Sequence, residues 1–261
     1  MYEFRGTTAM VTGASRGLGR AYALELAARG ANLVLVARSG AALRELATTI
    51  RDRHGVQAEA IPADLAVPSA VDALAMPVDL LLNNAAYGPV GPFFGRPFEQ
   101  NLRAVALNVT GLMTLTHRIG REMLTRGSGG IINVASTAAF QPMPYQAGYA
   151  ATKAFVLSFT EALAEETRGS GVRIMAAHPG AVDTGFFDGT TATIDPRFAD
   201  SPESVAAKTL DDFARGRTVS YPGRLVHRVA TWAPRALPRR TVTRITGGLN
   251  RHNGLHEAAD V

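Results

Sequence analysis

The sequence predicts an α/β protein built on a single doubly wound parallel sheet, and three observations carry the prediction. Short runs rich in Val, Ile and Leu alternate with amphipathic stretches through the first 180 residues, the pattern of repeated parallel βαβ units. A glycine-rich turn directly follows the first apolar run and opens a helical pattern. Small and polar residues close the later runs, at the carboxyl ends of strands where such sheets bind ligands.

In chain order the apolar runs are Thr8 to Val11, Asn32 to Ala37, Ala58 to Ala63, Leu80 to Leu82, Gly130 to Val134 and Arg173 to His178, each bounded by turn residues. Between them lie helical patterns over Gly17 to Arg29, Gly40 to His54, Phe98 to Arg126 and Tyr149 to Arg168. The stretch from Asp64 to Asp79 is too short for a full crossover helix. A later helix starts near Ser201-Pro202, where Ser can cap and Pro can take the first helical position.

With 261 residues, 46% of them hydrophobic, the chain can bury one large core. Residues 1–222 form the expected sheet domain and 223–261 a basic C-terminal helical extension. Residues 1–212 hold 18 Lys and Arg against 20 acids, whereas residues 213–261 hold nine Arg against two. No groove-reading motif accompanies this basic tail, so nucleic acid is not the expected partner. The chain opens on an apolar strand without a charged, signal-like segment, and no apolar run reaches spanning length. Zero Cys excludes disulfides and thiolate chemistry, and the scattered His make no metal site. All of this suits a cytoplasmic protein.

Thr12-Gly13-Ala-Ser15-Arg16-Gly17-Leu18-Gly19 follows the first strand. Glycines at 13, 17 and 19 allow a sharp turn and a close approach to a pyrophosphate at the helix N-terminus. The same residues spell the Gly-x-Ser-x-Gly of a hydrolase elbow, but an elbow follows several strands, and this loop follows the first. The second strand ends Val36-Ala37-Arg38 without the acid that a bare ribose needs. Arg38 and Arg16 instead offer a cationic clamp for a 2′-phosphate, favouring NADP(H) over NAD(H).

Asp64 and Leu65 close the third strand, with the acid placed to meet an adenine amino group. Asn83-Asn84-Ala85-Ala86 closes the fourth, Ser136 the fifth, and Pro179-Gly180-Ala-Val182-Asp-Thr184 follows the sixth. Tyr149 and Lys153 stand four residues apart, on one face of a helix. Lys153 is one of two lysines beside twenty-five arginines, so the position needs a compact ammonium. An ammonium beside a phenol lowers the phenol pKa, which makes the pair a proton donor and its tuner.

Together these motifs resemble the short-chain dehydrogenase/reductase family from about residue 6 to residue 222. Thr12 to Gly19 is similar to the family's T-G-x-x-x-G-x-G, and Asn83 to Ala86 to its N-N-A-G, with Ala86 in place of glycine. Ser136, Tyr149 and Lys153 resemble its Ser-Tyr-Lys set, and Pro179 to Thr184 its nicotinamide-holding P-G-x-V-x-T. The resemblance implies a Rossmann fold, a dimer or tetramer, and an NADP(H)-dependent exchange between a carbonyl and a secondary alcohol. It also implies that Lys153 holds the nicotinamide ribose and that Asn108 supports a water leading protons to Lys153. An NADP(H)-binding scaffold of the same fold is the alternative.

Phe140, Met143 and Tyr145 lie between Ser136 and Tyr149, while Phe186, Phe187 and Ile194 follow Thr184, so apolar walls and an apolar, lipid-like substrate are expected. From Phe213 to His256 there is no acid, and aliphatics, the one Trp and several Arg alternate around Pro234 and Pro238. Two readings of residues 223–250 stand open. The segment packs on its own or a partner subunit, or it rests as an amphipathic helix on an anionic membrane surface.

Overall fold

The computed structural model describes residues 1–74, 76–186, 188, 190–192 and 199–259. Seven parallel strands, β1 (Thr8–Thr12), β2 (Asn32–Ala37), β3 (Ala58–Pro62), β4 (Leu80–Asn83), β5 (Gly129–Val134), β6 (Val172–Ala177) and β7 (Val219–Ser220), form one sheet in the order β3-β2-β1-β4-β5-β6-β7. The winding reverses between β1 and β4, which opens a crevice at their carboxyl ends.

Successive side chains of a strand point to opposite faces, and the core divides accordingly. Ala9, Val11, Leu33, Leu35, Leu80 and Leu82 pack with α1 (Gly17–Ala28), α2 (Gly40–His54) and, later in the chain, α7 (Pro202–Ala214). Met10, Val34, Val36 and Leu81 face the other way, toward Leu115, Ile119 and Met123 of α5 (Leu112–Arg126). The expected break in the third crossover is present: α3 (Pro68–Asp72) is a single short turn. Ser201 caps α7 by accepting from the Ser204 amide at 3.2 Å, with Pro202 at the first turn.

The segment read as one helix from Phe98 to Arg126 is α4 (Phe98–Val105) and α5 joined by a π-turn at Ala106–Gly111. α6 (Ala147–Glu166) carries Tyr149 and Lys153. The two-residue β7 is too short to leave a periodic signal, and it forms because the edge of β6 is there to pair with.

The C-terminal segment is three helices: α8 (Leu225–Ala230), α9 (Ala233–Ala236) and α10 (Arg239–His252). Pro234 lies in the first turn of α9, and Pro238 immediately precedes α10. The Thr246 hydroxyl donates to the Pro142 carbonyl at 2.9 Å and the Asn250 amide to that of Pro144 at 2.8 Å, so α10 folds back over its own subunit. No helix among the described residues is long and apolar enough to cross a membrane.

Candidate active site

The crevice is assembled from strand ends. In the loop between β1 and α1, Gly13 and Gly17 have φ of 68° and 52°, which a side chain rarely adopts. A Cβ on Gly13 would lie 2.9 Å from Ala85, and one on Gly17 2.8 Å from Thr184. The missing side chains thus let the glycine loop, the Asn-Asn-Ala-Ala segment and the Pro-Gly segment meet. The amides of Asn84 and Ala85 each donate to the Thr12 hydroxyl at 3.0 Å, and the Asn84 side chain donates to the Thr12 carbonyl at 3.0 Å. Gly19 is buried against Gly13, whose carbonyl would collide with any Cβ there. Leu18 packs on the core beneath the loop, Ser15 is half-buried, and Ala86 continues the segment after Ala85.

On the β2–β3 side of the crevice, Arg38 is exposed at the end of β2. Asp64 takes a hydrogen bond from Arg103 at 2.6 Å and from the Ala66 amide at 3.1 Å. Burial opposes its charge, but these bonds and the Arg103 and Arg38 charges together hold its pKa below the usual carboxylate value. Leu65 turns into the core. Arg16 reaches across the loop mouth to Asp188 at 3.1 Å, an exposed pairing. The mouth is therefore basic at Arg38 and self-paired at Arg16.

At the opposite end, a side-chain hydrogen bond joins Ser136 to Tyr149, and the Ser136 hydroxyl also accepts from the Ala138 amide at 3.1 Å. Lys153 is buried, its Nζ donating to the Val134 carbonyl at 2.7 Å and standing 5.8 Å from the centre of the Tyr149 ring. Burial pushes the Lys153 amine down to about 7. Burial pushes the Tyr149 phenol up to about 12 against the lowering bond from Ser136. The expected lowering of Tyr149 by Lys153 is therefore not the balance struck here. Both groups have left water, the amine is directed at a backbone carbonyl, and desolvation dominates both values.

Asn108 sits in the π-turn, a geometry that recurs at functional sites. Its side-chain carbonyl accepts from the Tyr87 amide at 2.9 Å, while its amide donates to the Tyr87 carbonyl at 2.8 Å and the Thr152 hydroxyl at 3.0 Å. Asn108 thereby ties the loop after β4 to the helix carrying Tyr149.

The Thr137 amide donates to the Pro179 carbonyl at 3.0 Å, joining the two strand ends. Val182 is buried and bridges to Asp200, and the Thr184 hydroxyl donates to the Val182 carbonyl at 3.3 Å. Gly180 is overlaid by the ring of His227, whose Nδ1 lies 3.0 Å from the buried Asp200 carboxylate.

The expected substrate wall divides. Phe186 packs on Tyr149 with ring centres 5.4 Å apart, so these two meet. Phe140 packs on His178 and Tyr221. Met143 lies beside Gln141, and Phe187 and Ile194 fall outside the described residues. Tyr145 is the one described non-glycine residue with positive φ, 68°. Its carbonyl accepts from the Gly91 amide at 2.9 Å, and its ring faces His256 of the C-terminal segment.

Two features escaped the sequence reading. His178 is buried with neither ring nitrogen hydrogen-bonded, and burial with the nearby Lys153 charge lowers it to about 4. By sequence it is only the last residue of an apolar run. The Asp200–His227 contact spans 27 residues and leaves no spacing signal.

The cleft at a topological switch point, the glycine loop and the Ser-Tyr-Lys cluster define a nucleotide-dependent dehydrogenase architecture. The short chain dehydrogenase family model matches residues 7–195, and the chain belongs to that family. Ketoacyl reductase HetN of Nostoc sp. is 34% identical over 215 residues, covering 79% of this chain and 75% of that protein. A short chain dehydrogenase of Pseudocercospora fijiensis is 35% identical over 193 residues, covering 70% of this chain but 62% of its own length. The structure of a short-chain dehydrogenase from Sphingobium yanoikuyae in complex with NADPH superposes with TM-score 0.79 at 32% identity, covering 88% of this chain and 93% of that one. A Burkholderia phymatum relative at 27% identity, TM-score 0.79, covering 90% and 92% of the two chains, was solved in complex with NAD.

Proposed function

We propose that this chain is an NADP(H)-dependent oxidoreductase interconverting a carbonyl and a secondary alcohol on an apolar substrate, lipid-like ones included. The carrying observation is the convergence of Ser136, Tyr149 and Lys153 at the ends of β5 and α6, opposite a glycine loop too tightly packed to hold side chains. The residues present fit a dinucleotide. The loop amides from Gly13 to Gly19 would hold the pyrophosphate, Asn84 to Ala86 and Lys153 the nicotinamide ribose, and Pro179 to Thr184 the nicotinamide. When bound, the cofactor supplies or accepts the hydride exchanged with the substrate carbon.

The Tyr149 phenol, held protonated well above neutral pH, is the proton source for an alkoxide, which is far more basic than a phenolate. Ser136 donates a hydrogen bond to the carbonyl oxygen where negative charge develops. Lys153, its amine lowered to about 7 by burial, can hold or release a proton near neutral pH and so pass one toward Tyr149. Asn108 keeps the loop after β4 and α6 in register while this happens.

Exposed Arg38 and the lack of an acid at the end of β2 support NADP(H), as does the NADPH in the Sphingobium relative; the Burkholderia relative's NAD makes the arginine the point to test. The packing of Phe186 on Tyr149 and the ketoacyl chemistry in the name of the Nostoc relative support an apolar substrate. Exposed Leu102, Val105 and Met113 along α4 and α5 support a homo-oligomer, and the cysteine-free chain suits the cytoplasm.

Titration of NADPH and NADH against wild type and Arg38→Asp tests the cofactor. A charge-assisted contact worth ~1.5–3 kcal/mol corresponds to a loss of about 10- to 150-fold in NADPH affinity, with NADH spared. Equal wild-type affinity for both cofactors refutes the preference. Binding of NADPH without turnover of any apolar ketone, aldehyde or alcohol would favour the scaffold alternative.

A further inference from the structure

We propose that the C-terminal segment 224–249 docks on an anionic membrane surface, with the outer apolar side chains of α8 and α10 against the lipid and their arginines on the headgroups. The pattern of α8 is inverted for a helix that ends in water. Leu225, Val226, Val229 and the adjoining Trp232 are 72%, 62%, 59% and 58% exposed, whereas polar His227 turns inward onto buried Asp200. On α10, Val242, Thr246 and Asn250 grip the subunit, while Ile245 and Leu249, one turn apart, are each 57% exposed. Scattered exposed apolar residues need no explanation, but seven within 25 residues of basic chain, Leu237 among them, mark a contact surface.

Charge selects the occupant. No acid lies between Phe213 and His256, and Arg228, Arg239, Arg240 and Arg244 are all exposed. The last three make no ion pair among the described residues. A second copy docking two-fold on this face would bring the same arginines together without acids between them. An anionic lipid surface instead satisfies both components, since the apolar side chains enter the interface and each Arg meets a headgroup. The inner side of α10 holds Pro142 and Pro144, so a docked segment would lie beside the strand-end loop that precedes Tyr149.

The chain's single tryptophan, Trp232, lies inside the proposed surface and reports on it directly. Full-length protein is mixed with phosphatidylcholine vesicles, with and without phosphatidylglycerol. Co-sedimentation and a blue shift of Trp232 emission are expected only with the anionic vesicles, weakening as salt rises. Arg240→Ala with Arg244→Ala should weaken binding about 25-fold, at about fivefold per arginine (~1 kcal/mol each). Leu225→Glu with Val229→Glu, both at exposed positions, should abolish the emission shift while the circular dichroism spectrum is unchanged. Failure to sediment with anionic vesicles at low salt overturns the proposal, as does equal binding to neutral vesicles. So does a smaller oligomer in the Leu225→Glu, Val229→Glu variant without lipid, which would make the face a contact between copies. None of these readouts depends on cofactor or turnover.

Discussion

The crevice at the carboxyl end of the sheet and the three C-terminal helices handle polarity in opposite ways. In the sheet, alternate residues go to opposite faces, and the asparagines and threonines that remain inside are bonded to one another. Asn83 donates to Thr116 and Asn133, and Asn133 to Thr160, at 2.9–3.0 Å. Asn108 spends its whole amide on Tyr87 and Thr152. In α8 the polar residue is inside and the apolar ones are outside. The first region is organised by its own burial, whereas the second is held to the subunit through His227, Thr246 and Asn250 and leaves its apolar surface for something beyond the subunit.

The largest effect is expected at the crevice itself. General acid catalysis contributes ~10²- to 10⁴-fold in rate, so Tyr149→Phe should lose at least that while NADPH affinity, read by fluorescence titration, barely changes. Lys153→Arg should be nearly as damaging. Its buried Nζ reaches one backbone carbonyl, and a guanidinium is larger and carries donors that would have no acceptor there. Retention of most activity by this variant would show that charge alone suffices.

Next in size is a pair of truncations read by chemical denaturation. Leu82→Ala, in the middle of the sheet with no exposure, should cost ~2–5 kcal/mol through lost burial and a cavity. Val229→Ala should cost less than ~0.5 kcal/mol, since exposed sites rarely matter to stability. A large cost at Val229 would mean that the tail is part of the core.

The last effect is a slope. The pKa of Lys153 is lowered from 10.5 to about 7 in the folded chain, so above pH 7 the unfolded chain binds more protons and stability must rise with pH. The rise should be clean up to pH 10, where Tyr149, raised from 10.0, begins to contribute with the opposite sign. Thermal melts of Lys153→Met across that window should lack the rise.

The parts of the molecule legible in sequence were those where one residue type answers a local demand. Gly13 and Gly17 take backbone angles that side chains avoid, Ser201 and Pro202 begin a helix, and Tyr149 and Lys153 share a helical face by spacing alone. Unreadable were the features set by partners distant in sequence. Arg16 reaches Asp188, Asn108 reaches Thr152, and Tyr145 is held at positive φ among Gly91 and the C-terminal residues.

Legible in the sequence alone were the alternation of strands and helices and the glycine, cap and helical-face positions, because period, turn chemistry and helix caps act over a few residues. Only the tertiary structure decided the protonation balance of Tyr149 and Lys153, the inverted face of α8 and the fold-back of α10. Desolvation and contact depend on what arrives from elsewhere in the chain, and burial of the phenol and the amine dominates both values.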